Sequence, residues 1–78
     1  MEFRKGELVF CTAGREKDRL LCVVASDEKY VYVCDGKERL LNNPKRKNPK
    51  HIVKTNKLIS EDLFLTDRAL RKALSKEV

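Results

Sequence analysis

The side chains best suited to chemistry in this sequence are cations, and they are concentrated in one short segment. Residues 44–57 hold six basic side chains and no acidic one: Lys45, Arg46, Lys47, Lys50, Lys54 and Lys57. Residues 1–43 carry 8 basic and 8 acidic side chains and residues 58–78 carry 4 of each, so this segment supplies the whole net charge of +6. Such a concentration predicts a polyanionic partner, and a solvated or disordered run of charge is the alternative.

Phosphate is an anion that these residue types bind well. A guanidinium group binds phosphate bidentately, a lysine acts as a point charge, and Asn48 with backbone amides can position a sugar–phosphate chain. Contacts of this kind give affinity without reading base sequence. We therefore predict a nucleic-acid partner that contacts residues 45–51.

A Cys3His zinc site is the second chemistry that the residue types allow, through Cys11, Cys22, Cys34 and His51. The cysteines are 11 and 12 residues apart, whereas structural zinc sites nearly always contain a pair two to four residues apart. The odd number and wide spacing also fail to match a disulfide framework. We expect free thiols in small, partly buried strand positions, and no metal or other cofactor.

The inventory of side chains argues against an enzyme. The chain has a single histidine, no phosphate-cradling glycine loop, and no nucleophile with a base beside it. A chain of 78 residues buries only roughly 60 to 65% of its unfolded surface, which leaves little room for a deep cleft. We predict one non-enzymatic binding domain over residues 1–78.

Short β-strands must position these side chains. We predict them at residues 7–12, 20–25, 30–35, 38–41 and 51–55. Alternation in the third sends Val31 and Val33 to one face and both tyrosines to the other. The Asp35-Gly36 pair then predicts a hairpin turn. Five short strands with tight turns predict a small, closed or nearly closed antiparallel barrel over residues 3–57, because closure removes exposed edges.

Two further segments complete the predicted architecture. Residues 44–49 read Pro-Lys-Arg-Lys-Asn-Pro, and a projecting loop is expected because prolines restrict the backbone and like charges repel. A C-terminal helix is predicted over residues 66–77, with Thr66 as N-cap and Asp67 in the first turn. Its apolar face holds Leu70, Ala73, Leu74 and Val78, and its opposite face holds Arg68, Arg71, Lys72 and Lys76. We interpret the opposite face as solvated, with Asp67 able to pair with Arg71.

Residues 5–24 resemble a KOW motif, the strand-loop-strand signature of several ribosomal proteins and transcription elongation factors, with Gly14 at the motif's central glycine. With Asp35-Gly36-Lys37 and residues 44–51, the chain resembles bacterial KOW-domain RNA-binding proteins related to the large-subunit ribosomal protein family numbered fourteen of archaea and eukaryotes. The resemblance covers nearly the whole chain. It implies an SH3-like β-barrel that binds RNA, with ribosomal RNA as the partner.

The resemblance implies RNA contacts from two segments. The residues to which it carries over are Gly14, Arg15 and Lys17 in the first loop and Lys45, Arg46, Lys47, Lys50 and His51 in the basic segment. We predict Arg19 and Asn48 as further RNA contacts in the same two segments. One position departs from the family, which often has a second glycine where this chain has Asp18. Aspartate tolerates a left-handed backbone better than most residues, but it adds negative charge beside Arg19.

Four further residues are candidate secondary contacts. Tyr30 and Tyr32, if they lie on the outer face, could stack on unpaired bases, each contributing roughly 1 to 3 kcal/mol. The alternative is that they cover the core beneath the terminal helix. Lys37 and Arg39 flank the hairpin, and they either extend the basic surface or are ordinary solvated residues.

The expected location in the cell follows from the absence of a membrane-spanning run and of a signal-peptide pattern. No apolar run approaches the roughly 18 to 20 residues that span a bilayer, and residues 1–6 lack the apolar core of a signal peptide. We expect a cytoplasmic monomer without membrane contact, with ribosomal proteins as further partners. A protein-interaction adaptor that docks on a ribosomal or transcription-complex subunit is the alternative function. A nuclear import address at Pro-Lys-Arg-Lys would need a nucleus that the sequence cannot establish.

Overall fold

The computed structural model describes residues 3–77 as a mainly β domain with one C-terminal helix. The strands are β1 (Glu7–Cys11), β2 (Leu20–Ser26), β3 (Val31–Cys34), β4 (Lys45–Lys47) and β5 (Ile52–Leu58). They form one antiparallel sheet in the order β4-β3-β2-β1-β5. Two 3-10 helices, Pro49–His51 and Glu61–Phe64, precede β5 and the α-helix α1 (Asp67–Ser75). The predicted fold class, a small SH3-like antiparallel barrel with a terminal helix, is confirmed.

The barrel is open along one seam. Its end strands, β4 and β5, are joined by the 3-10 helix Pro49–His51, and no ladder pairs them within residues 3–77. The sheet encloses a core to which β1, β2, β3 and β5 all contribute. This inner core consists of Phe3, Val9, Cys11, Leu21, Val23, Val31, Val33 and Ile52. Alternation along the strands thus sends Val31 and Val33 inward, as predicted.

The predicted strand at residues 38–41 is wrong, because the chain turns there. Asp35 Oδ1 accepts hydrogen bonds from the backbone N–H groups of Lys37, Glu38 and Arg39 at 2.9, 3.0 and 2.9 Å. The carbonyl of Arg39 accepts in return from the N–H groups of Asp35 and Gly36. A single carboxylate therefore gathers the segment into a compact turn.

The predicted projecting loop at residues 44–49 is also wrong, because its first half is an edge strand. In β4, Lys47 lies opposite Val31, Arg46 opposite Tyr32 and Lys45 opposite Val33. All three side chains of β4 are charged, yet its backbone pairs with the edge of β3 that would otherwise be open. Pro49 then begins the short 3-10 helix, a position where its missing N–H does no harm.

Helix α1 covers the outer face of the sheet over a second core. Leu70 and Leu74 of the helix pack with Phe64 against Leu8, Cys22 and Cys34. Thr66 caps the helix as predicted, its hydroxyl accepting from the Ala69 N–H at 3.1 Å. Asp67 instead accepts from the Leu41 N–H at 2.7 Å, and no ion pair joins it to Arg71 in the part of the chain described.

The predicted role of Val78 lies outside the described residues, and no helix within them is long and apolar enough to cross a membrane.

The three cysteines are buried free thiols on opposite sides of the sheet. Cys11 belongs to the inner core, whereas Cys22 and Cys34 face each other across β2 and β3 beneath α1. Burial raises the pKa of Cys22 and of Cys34 to about 12, so both thiols are protonated at neutral pH. Because Cys11 points away from the other two, the three sulfurs do not converge, and residues 3–77 hold no group of three metal-binding side chains.

Candidate nucleic-acid interface

The first loop and the basic segment, widely separated in sequence, are in direct contact. The Thr12 N–H donates to the His51 carbonyl at 2.9 Å, and Lys47 Nζ donates to the Ala13 carbonyl at 3.2 Å. The β1–β2 loop, strand β4 and the 3-10 helix Pro49–His51 therefore form one continuous surface. Both segments that the sequence predicts as RNA contacts lie on it.

The β1–β2 loop owes its shape to two left-handed residues. Gly14 has φ 84° and Asp18 has φ 65°, and aspartate is among the few non-glycine residues that adopt this region readily. The Lys17 N–H donates to the Gly14 carbonyl and the Asp18 N–H to the Cys11 carbonyl, at 3.2 and 2.8 Å. Asp18 thus adopts a left-handed backbone that glycine would also allow. Arg15 and Lys17 are left exposed on the loop.

A buried carboxylate, Glu16, lies beneath this surface. Only 4% of Glu16 is exposed. Lys47 Nζ lies 2.9 Å from its Oε1, and Arg39 donates to Oε2 through Nε and Nη2 at 2.9 and 2.7 Å. Sequence reasoning does not single out Glu16, because no local pattern marks an acid in a polar loop as buried. Lys47 on β4 and Arg39 in the turn after β3, both predicted as RNA contacts, hold the loop to the edge strand and to that turn.

The ion pairs keep Glu16 charged although it is buried. Burial alone would raise the pKa of this carboxyl, but the ion pair with Lys47 and the hydrogen bonds and charge of Arg39 lower it to about 2. Two cations therefore face one permanent anion at neutral pH. With its side chain only 10% exposed, Lys47 has little charge to offer a ligand.

Several other cations of the predicted site are also paired with acids. Arg19 pairs with Glu38 and, at 3.7 Å, with Asp35. Of the remaining basic side chains in residues 44–57, Lys54 pairs with Glu7 at 3.6 Å and Lys57 with Glu77 at 2.7 Å. Half of the six cations in the basic segment are therefore neutralised by acids from elsewhere in the chain.

Five cations on this surface have no such partner among residues 3–77. They are Arg15 and Lys17 on the loop, Lys45 and Arg46 on β4, and Lys50 on the 3-10 helix. Among residues 3–77, no carboxylate lies within ion-pair distance of any of them. Lys45 is half-buried and the other four are exposed. We call these five residues the cationic surface.

The remaining predicted contacts have mainly structural tasks. Asn48 Oδ1 accepts from the Lys50 N–H at 3.1 Å and caps the 3-10 helix. His51 is half-buried, and its carbonyl binds the first loop. Lys37 is exposed and lines a separate groove with Arg19 and Arg71, next to α1.

Tyr32 of β3 and Tyr30, which directly precedes this strand, lie on its outer face and not beneath the helix. Tyr30 and Tyr32 are both half-buried and belong to neither core. The Arg46 guanidinium carbon lies 4.5 Å from the centroid of the Tyr30 ring, and the Tyr32 hydroxyl donates to Asp27 Oδ2 at 2.8 Å. Of the two alternatives for the tyrosines, the structure thus favours the exposed one.

The position of β4 offers a second explanation for its charge. Cations on an edge strand oppose pairing with the edge of another chain, and this applies to Lys45 and Arg46. It does not apply to Arg15, Lys17 or Lys50, which lie in the loop and the 3-10 helix. Edge protection therefore accounts for part of the cationic surface only.

No known protein family matches the chain, and no curated protein matches it significantly. The likeness to KOW-domain proteins therefore stays a prediction, carried by the strand-loop-strand pattern of residues 5–24.

Proposed function

We propose that this domain binds RNA through its phosphate backbone, using the cationic surface. The observation that carries the proposal is that three adjoining segments present five basic side chains without an acidic partner among residues 3–77. Uncompensated charge of this kind attracts a polyanion, because binding releases the counterions condensed on it. The backbone hydrogen bond from Thr12 of the loop to His51 supports it further, since it fixes the spacing of the cations.

The proposed contact set is smaller than the set predicted from sequence. Lys47 and Arg39 are excluded because both are bound to Glu16, and Arg19 because it is paired with Glu38. If each of the five remaining cations neutralises one phosphate of single-stranded RNA, the slope of log K against log salt is about −3.5. An adaptor that binds a protein surface instead would show a much flatter dependence.

Ribosomal RNA is the proposed partner within this class, and the resemblance to KOW-domain ribosomal proteins supports it. On the same ground we propose a non-enzymatic, monomeric, cytoplasmic protein that acts on the ribosome or its precursors. Crosslinking in cells, followed by sequencing of the attached RNA, tests this assignment. Enrichment of messenger RNA over ribosomal RNA would overturn it and leave the phosphate contacts in place.

A matched pair of variants tests the binding site. The site variant replaces Lys17, Arg46 and Lys50 with glutamine, one residue from each segment. The control variant replaces Arg68 and Lys72 of α1 and Lys76, its C-cap, also with glutamine; all three are exposed. Both variants lose one arginine and two lysines, so their net charges are equal.

The two variants are compared by fluorescence anisotropy with a short single-stranded RNA of mixed sequence. The measurement is repeated over a series of salt concentrations. We expect the site variant to bind at least about tenfold more weakly and its salt slope to be shallower by about 2. The control should keep nearly the wild-type affinity. Equal losses in both variants would show that only net charge matters, and no RNA affinity in the wild type would favour the adaptor.

A further inference from the structure

An open groove of about 440 Å³ lies on the outer face of β3 and β4, beside the cationic surface. Its lining consists of Asp27, Glu28, Lys29, Tyr30, Tyr32 and Arg46. Two of the six are aromatic, and only Arg46 also takes part in the proposed phosphate contacts. The groove therefore adjoins the phosphate-binding surface and offers a different chemistry.

The aromatic rings in this groove are held in place before any ligand arrives. Tyr32 lies opposite Arg46 in the β3–β4 pairing, so both side chains project from the same face. Arg46 covers one face of Tyr30 in a cation–π contact. The Tyr32 hydroxyl is bound by Asp27, whose other oxygen accepts from the N–H groups of Lys29 and Tyr30 at 2.8 and 2.7 Å.

The fixed carboxylate makes Asp27 a positioning residue for Tyr32. Oδ1 already accepts two backbone hydrogen bonds, and Oδ2 accepts the hydroxyl, so the carboxylate cannot rotate without losing them. Within residues 3–77, no aromatic or cationic side chain stacks on the Tyr32 ring. A half-exposed ring that is held rigidly at its hydroxyl end can receive a flat ligand with little further loss of entropy.

We propose that an unpaired nucleobase stacks on Tyr32 in this groove while Arg46 binds an adjacent phosphate, so that the RNA recognised is single-stranded. The inference rests on the proposed RNA binding. Stacking needs an exposed base face, which a duplex does not offer along its length. Because every base has such a face, the site favours single strands without selecting a sequence.

The first experiment uses the unaltered protein with three RNA probes of equal length: a single strand, a duplex, and a single strand with abasic positions. All three carry phosphates, and only the first presents a free base face at every position. We expect the first to bind about 5- to 100-fold more tightly than the abasic strand at the same salt concentration. Because the chain has no tryptophan and both of its tyrosines line the groove, quenching of tyrosine fluorescence by the first probe reports a base in the groove.

Variants at Tyr32 then locate the site. Tyr32→Phe keeps the ring and loses the bond to Asp27, whereas Tyr32→Leu removes the aromatic face and keeps an apolar side chain. We expect Leu to abolish the preference for the single strand over the abasic strand, with an unchanged salt slope, and Phe to keep most of it. A thermal melt of each variant establishes that it is folded.

The possible failures are distinguishable. If none of the three probes binds, the proposed RNA binding itself is wrong. If all three bind equally, and Tyr32→Leu changes nothing, phosphate binding stands and the base site is refuted. A single-strand preference that survives Tyr32→Leu would also refute the assignment to this groove.

Discussion

Nζ of Lys47 lies 2.9 Å from Oε1 of Glu16 and joins the edge strand β4 to the loop between β1 and β2. The same lysine donates to the Ala13 carbonyl of that loop. A cation within the most basic segment of the chain is thus an internal tie, and the surface available to RNA is built around it. Loss of this tie should therefore change the stability of the domain as well as the shape of its binding surface.

Lys47→Gln should lower the free energy of unfolding by about 2 to 3 kcal/mol, because it leaves a buried carboxylate with Arg39 as its remaining partner. Lys50→Gln removes the same charge from an exposed position and should change stability by less than about 0.5 kcal/mol. Urea denaturation followed by circular dichroism measures both. Equal midpoints for the two variants would contradict the structural role of Lys47.

Stability should fall steeply in acid because of Glu16. Its pKa in the folded protein is about 2, below its ordinary 4.5, so the unfolded chain binds the proton more readily. The stabilisation is complete above about pH 4.5 and is lost as pH falls through the folded pKa, and it amounts to about 3 kcal/mol. Urea midpoints from pH 5.5 to 2 measure it.

Glu16→Gln is the control for this acid dependence. Its stability curve should be flatter over the same pH range and should converge with that of the wild type in strong acid. The slope that remains in the variant comes from other carboxyls such as Asp27, whose pKa is lowered by hydrogen bonds from the Tyr30 and Lys29 N–H groups and the Tyr32 hydroxyl. Parallel curves would show that Glu16 does not carry the effect.

Alanine should be tolerated less at Gly36 than at Gly14, although both glycines have a left-handed backbone. At Gly14 a Cβ would lie 2.8 Å from Lys47 Nζ. Alanine there adds backbone strain of about 1 to 2 kcal/mol and displaces the lysine from Glu16, but it meets a side chain and not the backbone of another element. At Gly36 it would lie 2.2 Å from the Asp67 carbonyl oxygen, which forces α1 to move. Thermal melts rank the variants, and the reverse order would contradict this packing of the helix.

The helix cap gives a milder test. Thr66→Ala should lower stability by about 1 kcal/mol, because it leaves the Ala69 N–H without its side-chain acceptor. Thr66→Ser keeps the hydroxyl and should stay within a few tenths of the wild type. In a domain of this size the alanine variant should melt about 4 to 8 °C lower. Identical melting of the alanine and serine variants would rule out the cap.

Most of the fold is predictable from local signals. Short runs of apolar and other strand-forming residues mark β1, β2 and β3, and the change to a helical period after Thr66 marks α1. Both errors lie between Asp35 and Pro49. There the structure depends on the Asp35 carboxylate, which accepts hydrogen bonds from three backbone N–H groups, and on the free edge of β3, with which the polar strand β4 pairs.

The composition of the candidate site was harder to predict. Charge counting finds the basic segment, and the resemblance adds the first loop, but neither separates free cations from paired ones. Lys47 is paired with a carboxylate 31 residues earlier in the chain, and Lys57 with one near the C-terminal end. Such pairings depend on which strands are neighbours and therefore follow from the tertiary structure alone.

The three cysteines lie in two cores on opposite sides of the sheet, so the reactivity of each thiol reports which of the two cores has opened. A thiol with no solvent access reacts with an alkylating reagent only while its surroundings are open. Detachment of α1 uncovers Cys22 and Cys34, whereas Cys11 becomes reactive only when the inner core separates. The order in which the thiols are modified under native conditions therefore records whether the helix leaves before the barrel unfolds.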